Sequence, residues 1–89
     1  MPEISRFFGI VIRIFYRDFA RHSAPHLHAE YAEFEASYRL PDGELLAGEL
    51  PRRQRRMVEA WIEIHREELM QAWERATEGQ APGRIDPLR

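Results

Sequence analysis

The apolar side chains of this chain change their spacing at Pro51. Before it, short segments alternate between apolar and polar residues, as at Ile10, Ile12 and Ile14, which is the period of a half-buried strand. After it, apolar or aromatic residues recur every three or four positions, the period of a helix that buries one face. These are Met57, Trp61, His65, Leu69, Trp73 and Ala76. The order of the two patterns predicts an α+β fold.

Four strands are predicted ahead of Pro51, at about residues 9–16, 26–31, 34–40 and 44–49. Pro41-Asp42-Gly43 has the composition of a tight turn, so the last two strands should form a hairpin. The boundary between the second and third strands is placed at Ala32-Glu33 as a short turn, although neither residue favours one. We therefore expect an antiparallel meander of three or four strands.

One continuous or slightly kinked amphipathic helix is predicted over about residues 51–78. Pro51 suits a first helical position, where its missing N–H costs nothing, and Gly79 supplies the stop. The helix should pack its apolar stripe, including Trp61, His65 and Trp73, on one face of the sheet. The tail, residues 79–89, contains two prolines and is expected to lie along the surface.

Length and composition limit the class of protein. The 89 residues are expected to form a single domain, residues 1–89, and the absence of cysteine excludes disulfides and Cys-based zinc sites. The longest apolar run, Phe7 to Val11, is far shorter than the roughly 20 residues that cross a bilayer. No basic-then-apolar leader opens the chain, so we expect a cytoplasmic protein with no membrane partner. A net charge of -2 argues against a protein that coats nucleic acid generally, but permits a local basic patch.

Three of the four histidines lie within residues 22–28, ahead of several glutamates. Residues two apart on a strand share a side, so His26 and His28 should project together, with Glu30 next in line. His22 lies on the preceding loop and could fold back towards them. Together the three imidazoles could hold zinc, copper or nickel, or could act without metal as acid and base in phosphodiester cleavage. The alternative is structural, with rings that hydrogen-bond to the backbone at a strand end.

A second polar concentration lies at the start of the predicted helix. It consists of Arg52, Arg53, Arg55 and Arg56. Cations are disfavoured near a helix N-terminus, and Glu59 is placed to offset Arg55 and Arg56. The cluster is either a solvated face or a site that binds RNA phosphate or an acidic protein surface.

Several blocks in order resemble the bacterial domain of unknown function 4160 (DUF4160) family. They are the segment from Met1 to Phe7, Gly9-Ile10, Pro25-His26-Leu27-His28-Ala29, Gly48-Glu49-Leu50-Pro51, and His65-Arg66-Glu67-Glu68-Leu69 with Trp73. The family pattern His-x-x-Pro-His-x-His matches at His22, Pro25, His26 and His28. Two positions depart from it: Arg21 stands where similar members carry an acidic residue, and Ala32 where they carry a glycine.

The resemblance implies no established activity, but family genes often neighbour those of another small uncharacterised domain, in what look like toxin-antitoxin modules. We therefore expect a binding module of such a pair, which engages a small partner protein or RNA through the arginines and the histidine face. The alternative is a small nuclease that uses His22, His26 and His28, with or without a divalent transition metal. A homodimer through Phe7, Phe8 and Phe19 is a further alternative.

Overall fold

The structure is a computed structural model that describes residues 3–15 and 24–89. Antiparallel strands form one sheet in chain order, and two helices follow it. The strands are β1 (Glu3–Phe7), β2 (Ile10–Arg13), β3 (His26–Tyr31), β4 (Phe34–Arg39) and β5 (Leu45–Glu49), and the helices are α1 (Arg52–Ile64) and α2 (Arg66–Thr77). The predicted α+β class is confirmed. No helix within the described ranges is long and apolar enough to cross a membrane.

The prediction of three or four strands was wrong, because the segment ahead of Phe8 adds a fifth strand, β1. It pairs with β2 through Phe7 opposite Ile10 and Ser5 opposite Ile12. The register shifts between Glu3 and Ser5, and Ile4 and Ser5 are both buried in consequence. Since two consecutive residues face the interior, β1 lacks the strict alternation by which a strand is recognised in sequence.

The helix, predicted as continuous or slightly kinked, is divided into α1 and α2 because the chain leaves helical geometry at His65. This residue has φ -112° and ψ 27° and separates α1 from α2. Its N–H still donates to Trp61 (3.1 Å), and its carbonyl still accepts from Leu69 (2.9 Å). The apolar spacing therefore continues through the break, and neither proline nor glycine marks it in the sequence.

The interior of the molecule combines strand and helix residues. Leu27 and Ala29 of β3 lie opposite Tyr38 and Ala36 of β4, and all four are buried. They join the helix residues Val58, Trp61, Ile62, Leu69, Ala72, Trp73 and Ala76 in one hydrophobic core. Phe7 and Trp61 make a ring contact at 5.3 Å between centroids, which connects β1 to α1. Packing of the helices across one whole face of the sheet stays a prediction.

The C-terminal tail is fixed to β1 and α1. The N–H of Ile85 donates to the carbonyl of Ile4, and the indole N–H of Trp61 donates to the carbonyl of Asp86, both at 2.8 Å. Arg84 donates to the Glu3 carboxylate. Hydrogen bonds to Glu3 from Arg6, and then from Arg84, lower the pKa of this carboxyl to about 2. The tail is thus a part of the folded structure and covers β1.

Candidate functional site

The strands carry a polar side opposite the buried one. Because alternate strand residues point to opposite faces, His26, His28 and Glu30 lie away from Leu27 and Ala29. Their cross-strand partners on β4 are Arg39, Ser37 and Glu35, and Arg13 of β2 lies opposite His28. We call this surface the polar face, defined by Arg13, His26, His28, Glu30, Glu35 and Ser37.

His26 is the most enclosed residue of the polar face, with 8% of its surface exposed. Its ring contacts those of His28 and Trp73, each at 5.1 Å between centroids. Nδ1 donates a hydrogen bond to the carbonyl of Ala24 at 2.8 Å. A carbonyl can only accept, so the proton lies on Nδ1, and neutral His26 carries its lone pair on Nε2. The contact fixes the ring at the start of β3.

His28 is half-buried and faces a hydroxyl and a carboxylate of β4. Its Nδ1 lies 3.3 Å from Oγ of Ser37 and 3.8 Å from Oε2 of Glu35. Phe15 meets the ring edge to face at 4.5 Å between centroids. Arg13 of β2, which lies opposite His28, forms an ion pair with Glu30 of β3 at 3.3 Å. The sequence-predicted pair of histidines is therefore brought together, beside a hydroxyl and a carboxylate.

The third histidine of the predicted set, His22, lies outside the described residues. Among residues 3–15 and 24–89, no group of three or more histidine or carboxylate side chains is placed to hold a metal ion. A metal site at His22, His26 and His28 therefore stays a prediction that depends on His22.

Beside the histidine pair lies an open cavity of about 320 Å³. It is lined by Ala24, His26, Ser37, Leu46 and Ala47. Neither Ser37 nor Glu35 was among the site residues predicted from the sequence. The position of Ser37 could have been predicted from the sequence. A two-residue turn at Ala32-Glu33 sets the hairpin register and places Ser37 opposite His28.

The arginine cluster forms a second candidate site, at the start of α1. Arg55 pairs with Glu59 at 3.4 Å. Arg52, Arg53 and Arg56 form no ion pair with any carboxylate in the described part of the chain. They line an open cavity of about 600 Å³ together with Met57. The first turn of α1 has no acidic residue, and no side chain caps it.

Seven of the eight other arginines in the described ranges have a partner, unlike these three; the exception is Arg89. Six of them, counting Arg55, pair with a carboxylate: Arg6, Arg13, Arg39, Arg55, Arg66 and Arg84. Arg75 donates to the carbonyl of Pro82. The sequence predicted that Glu59 could offset both Arg55 and Arg56, whereas the structure pairs it with Arg55 alone. Sequence spacing cannot distinguish these outcomes, because both pairs lie within one helical turn.

The architecture is that of a small α+β protein with a meandering sheet, a histidine pair on its polar face and an arginine cluster where the helices begin. The DUF4160 family, described as a domain of unknown function, matches residues 9–74, and the chain belongs to it. The matched span contains His26 and His28 and the whole arginine cluster. No curated protein and no solved structure matches this chain.

Proposed function

We propose that this protein is a binding module that engages an anionic partner through Arg52, Arg53, Arg55 and Arg56. The polar face with His26 and His28 serves as a second contact. The single observation that supports this is the absence of described carboxylate partners for Arg52, Arg53 and Arg56. Resemblance to a family whose genes resemble toxin-antitoxin modules favours a partner protein or RNA from such a pair.

The energetics favour an external anion. Each cation in the first turns of a helix is disfavoured by about 0.3–1 kcal/mol, and an exposed i,i+4 ion pair returns about 0.3–0.5 kcal/mol. Glu59 offsets Arg55, which leaves the other three arginines uncompensated by described residues. A phosphate or a partner carboxylate at this position accepts paired N–H donors from guanidinium groups and removes that cost.

The test is a charge-matched comparison. Arg52→Gln, Arg53→Gln and Arg56→Gln are combined in one variant. The control combines Arg6→Gln, Arg66→Gln and Arg84→Gln, which removes three arginines that are already paired. Binding to the product of the neighbouring gene is followed by light scattering, and binding to RNA by fluorescence anisotropy.

The cluster variant should lose about tenfold or more in affinity for its partner, since a hydrogen bond to a charged group contributes about 1.5–3 kcal/mol. The control should retain its affinity, after thermal melts establish that both variants fold. Equal affinities of the two variants would contradict the proposal.

A second candidate function, a histidine-dependent nuclease, is supported by the contact between His26 and His28 beside Ser37 and Glu35. Phosphodiester cleavage needs one group to remove a proton and another to supply one, and two adjacent imidazoles can divide these roles. Alanine at His22, His26 and His28 together should abolish RNA cleavage, and metal analysis of untagged protein tests the metal-dependent form. Cleavage that survives the triple substitution eliminates this candidate.

A further inference from the structure

Three chain connections meet at one end of the sheet. Phe7 lies opposite Ile10, so the turn of Phe8-Gly9 joins β1 to β2 there. Val11 opposite Glu30 brings the turn at residues 32–33 to the same end. Glu35 opposite Glu49 brings the end of β5 there too, immediately before α1. We call this the hairpin end.

Phe8 is the most unusual residue of the hairpin end. It is 62% exposed and has φ +49°, and Gly9 follows with φ +81°. A two-residue turn with positive φ at both positions favours Asn-Gly, because a bulky side chain is strained in this region. Phe8 thus combines a strained backbone with an exposed ring, and neither packing nor turn geometry accounts for the choice of phenylalanine.

Two further aromatic residues and the arginines share this end. The ring of Tyr31 lies against Gly9, since a Cβ built on that glycine would approach Cε1 of Tyr31 to 3.2 Å. Phe34 lies opposite Tyr31, and both are half-buried. Neighbouring strands are about 4.8 Å apart, so the turn of Phe8 and the end of β5 are about 15 Å apart. The exposed ring of Phe8, two half-buried rings and the arginines that follow β5 therefore all lie at the hairpin end.

We infer that the hairpin end binds single-stranded nucleic acid, with a base stacked on Phe8 and phosphates held by Arg52, Arg53 and Arg56. The inference rests on the proposed function of these arginines and specifies their ligand. A single strand offers open base faces to an exposed ring and a regular series of phosphates to guanidinium groups. A duplex buries its base faces, so it can use the arginines but not Phe8.

The decisive variant is Phe8→Gly. Glycine adopts positive φ without strain, so the substitution removes the ring while favouring the native turn. The matched control is Ala32→Gly in the adjacent turn, where Ala32 has φ +51°. It relieves the same kind of strain and removes no ring. Phe8→Tyr keeps a stacking surface and should therefore retain the binding of the parent protein.

The probes are a single-stranded RNA of mixed sequence, the same sequence as DNA, and the RNA duplex, each followed by fluorescence anisotropy. Phe8→Gly should weaken single-strand binding about tenfold, as expected for the loss of one base–aromatic stack, and leave duplex binding unchanged. Ala32→Gly and Phe8→Tyr should bind like the parent protein. Tighter binding of RNA than DNA identifies the 2′-hydroxyl as part of the ligand, whereas equal binding identifies the single strand alone.

Failure of the inference is distinguishable from failure of the proposed function. Single-strand binding that Phe8→Gly leaves intact but the cluster variant abolishes overturns the inference alone. The inference alone is also overturned if the parent protein binds its partner protein through the arginines and binds no single-stranded nucleic acid. Binding that the cluster variant leaves intact overturns both.

Discussion

Tyr38 places its hydroxyl group in the core without a described hydrogen-bond partner. The residue is fully buried on β4. Burial, and then the charge of Glu59, raise the pKa of Tyr38 to about 12. A buried hydroxyl without a partner loses its hydration and gains no hydrogen bond in return. The ring of Tyr38 therefore stabilises the fold, and its hydroxyl does not.

Tyr38→Phe should leave the free energy of unfolding unchanged or raise it, whereas Tyr38→Ala should lower it by about 3–5 kcal/mol through the cavity it creates. Urea denaturation measures both. A loss above about 1 kcal/mol in Tyr38→Phe would mean that the hydroxyl has a partner.

The same residue predicts a pH dependence. The folded state binds the phenolic proton more tightly than the unfolded chain, whose tyrosine pKa is about 10. The contribution of Tyr38 is therefore fully present below pH 10 and is lost as the pH rises towards 12. Tyr38→Phe should remove this part of the alkaline destabilisation, and an identical alkaline profile in both proteins would contradict it.

At the scale of the element, a comparison of the β1–β2 and β3–β4 hairpins explains which parts of the fold could be predicted. β3 and β4 show regular alternation, so their pairing and the shared side of His26 and His28 follow from sequence. β1 could not be predicted, because its irregular register buries adjacent residues and its turn begins with Phe8 instead of asparagine. The break at His65 leaves no mark in composition.

The β3–β4 turn itself yields a prediction. Ala32 has φ +51°, and an L-residue in this region is strained by roughly 1–2 kcal/mol. Glycine relieves the strain but gains freedom in the unfolded chain, so Ala32→Gly should stabilise the protein by about 0.5–1 kcal/mol. Thermal denaturation gives the sign of the change in stability. A lower melting temperature of Ala32→Gly would show that Ala32 is not strained.

At the scale of the whole molecule, residues far apart in sequence are joined by the tail. Ile85 is buried and bonded to β1, and Trp61 donates its indole proton to the carbonyl of Asp86. Neither contact could be derived from sequence, since both join a segment without periodic pattern to distant elements. The arginines could be located from sequence, but their lack of described carboxylate partners is a property of the folded molecule.

Removal of residues 81–89 should lower the free energy of unfolding by roughly 3 kcal/mol or more. Burial of one Ile side chain contributes about 1.5–3 kcal/mol, and an orphaned indole N–H costs about 1–3 kcal/mol. Asp86→Ala is the matched control, because it keeps the carbonyl that Trp61 uses. Chemical denaturation should separate the two variants, and equal stability would show that the tail contributes nothing.

The salt dependence of RNA binding tests the central claim, that Arg52, Arg53 and Arg56 hold an external anion, most directly. Each phosphate contact to a single strand contributes about 0.7 to the slope of log K against log salt concentration. The variant with glutamine at all three positions should therefore show a slope smaller by about 2, while the control at Arg6, Arg66 and Arg84 keeps the parental slope. Equal slopes in the parent and the cluster variant would contradict the account.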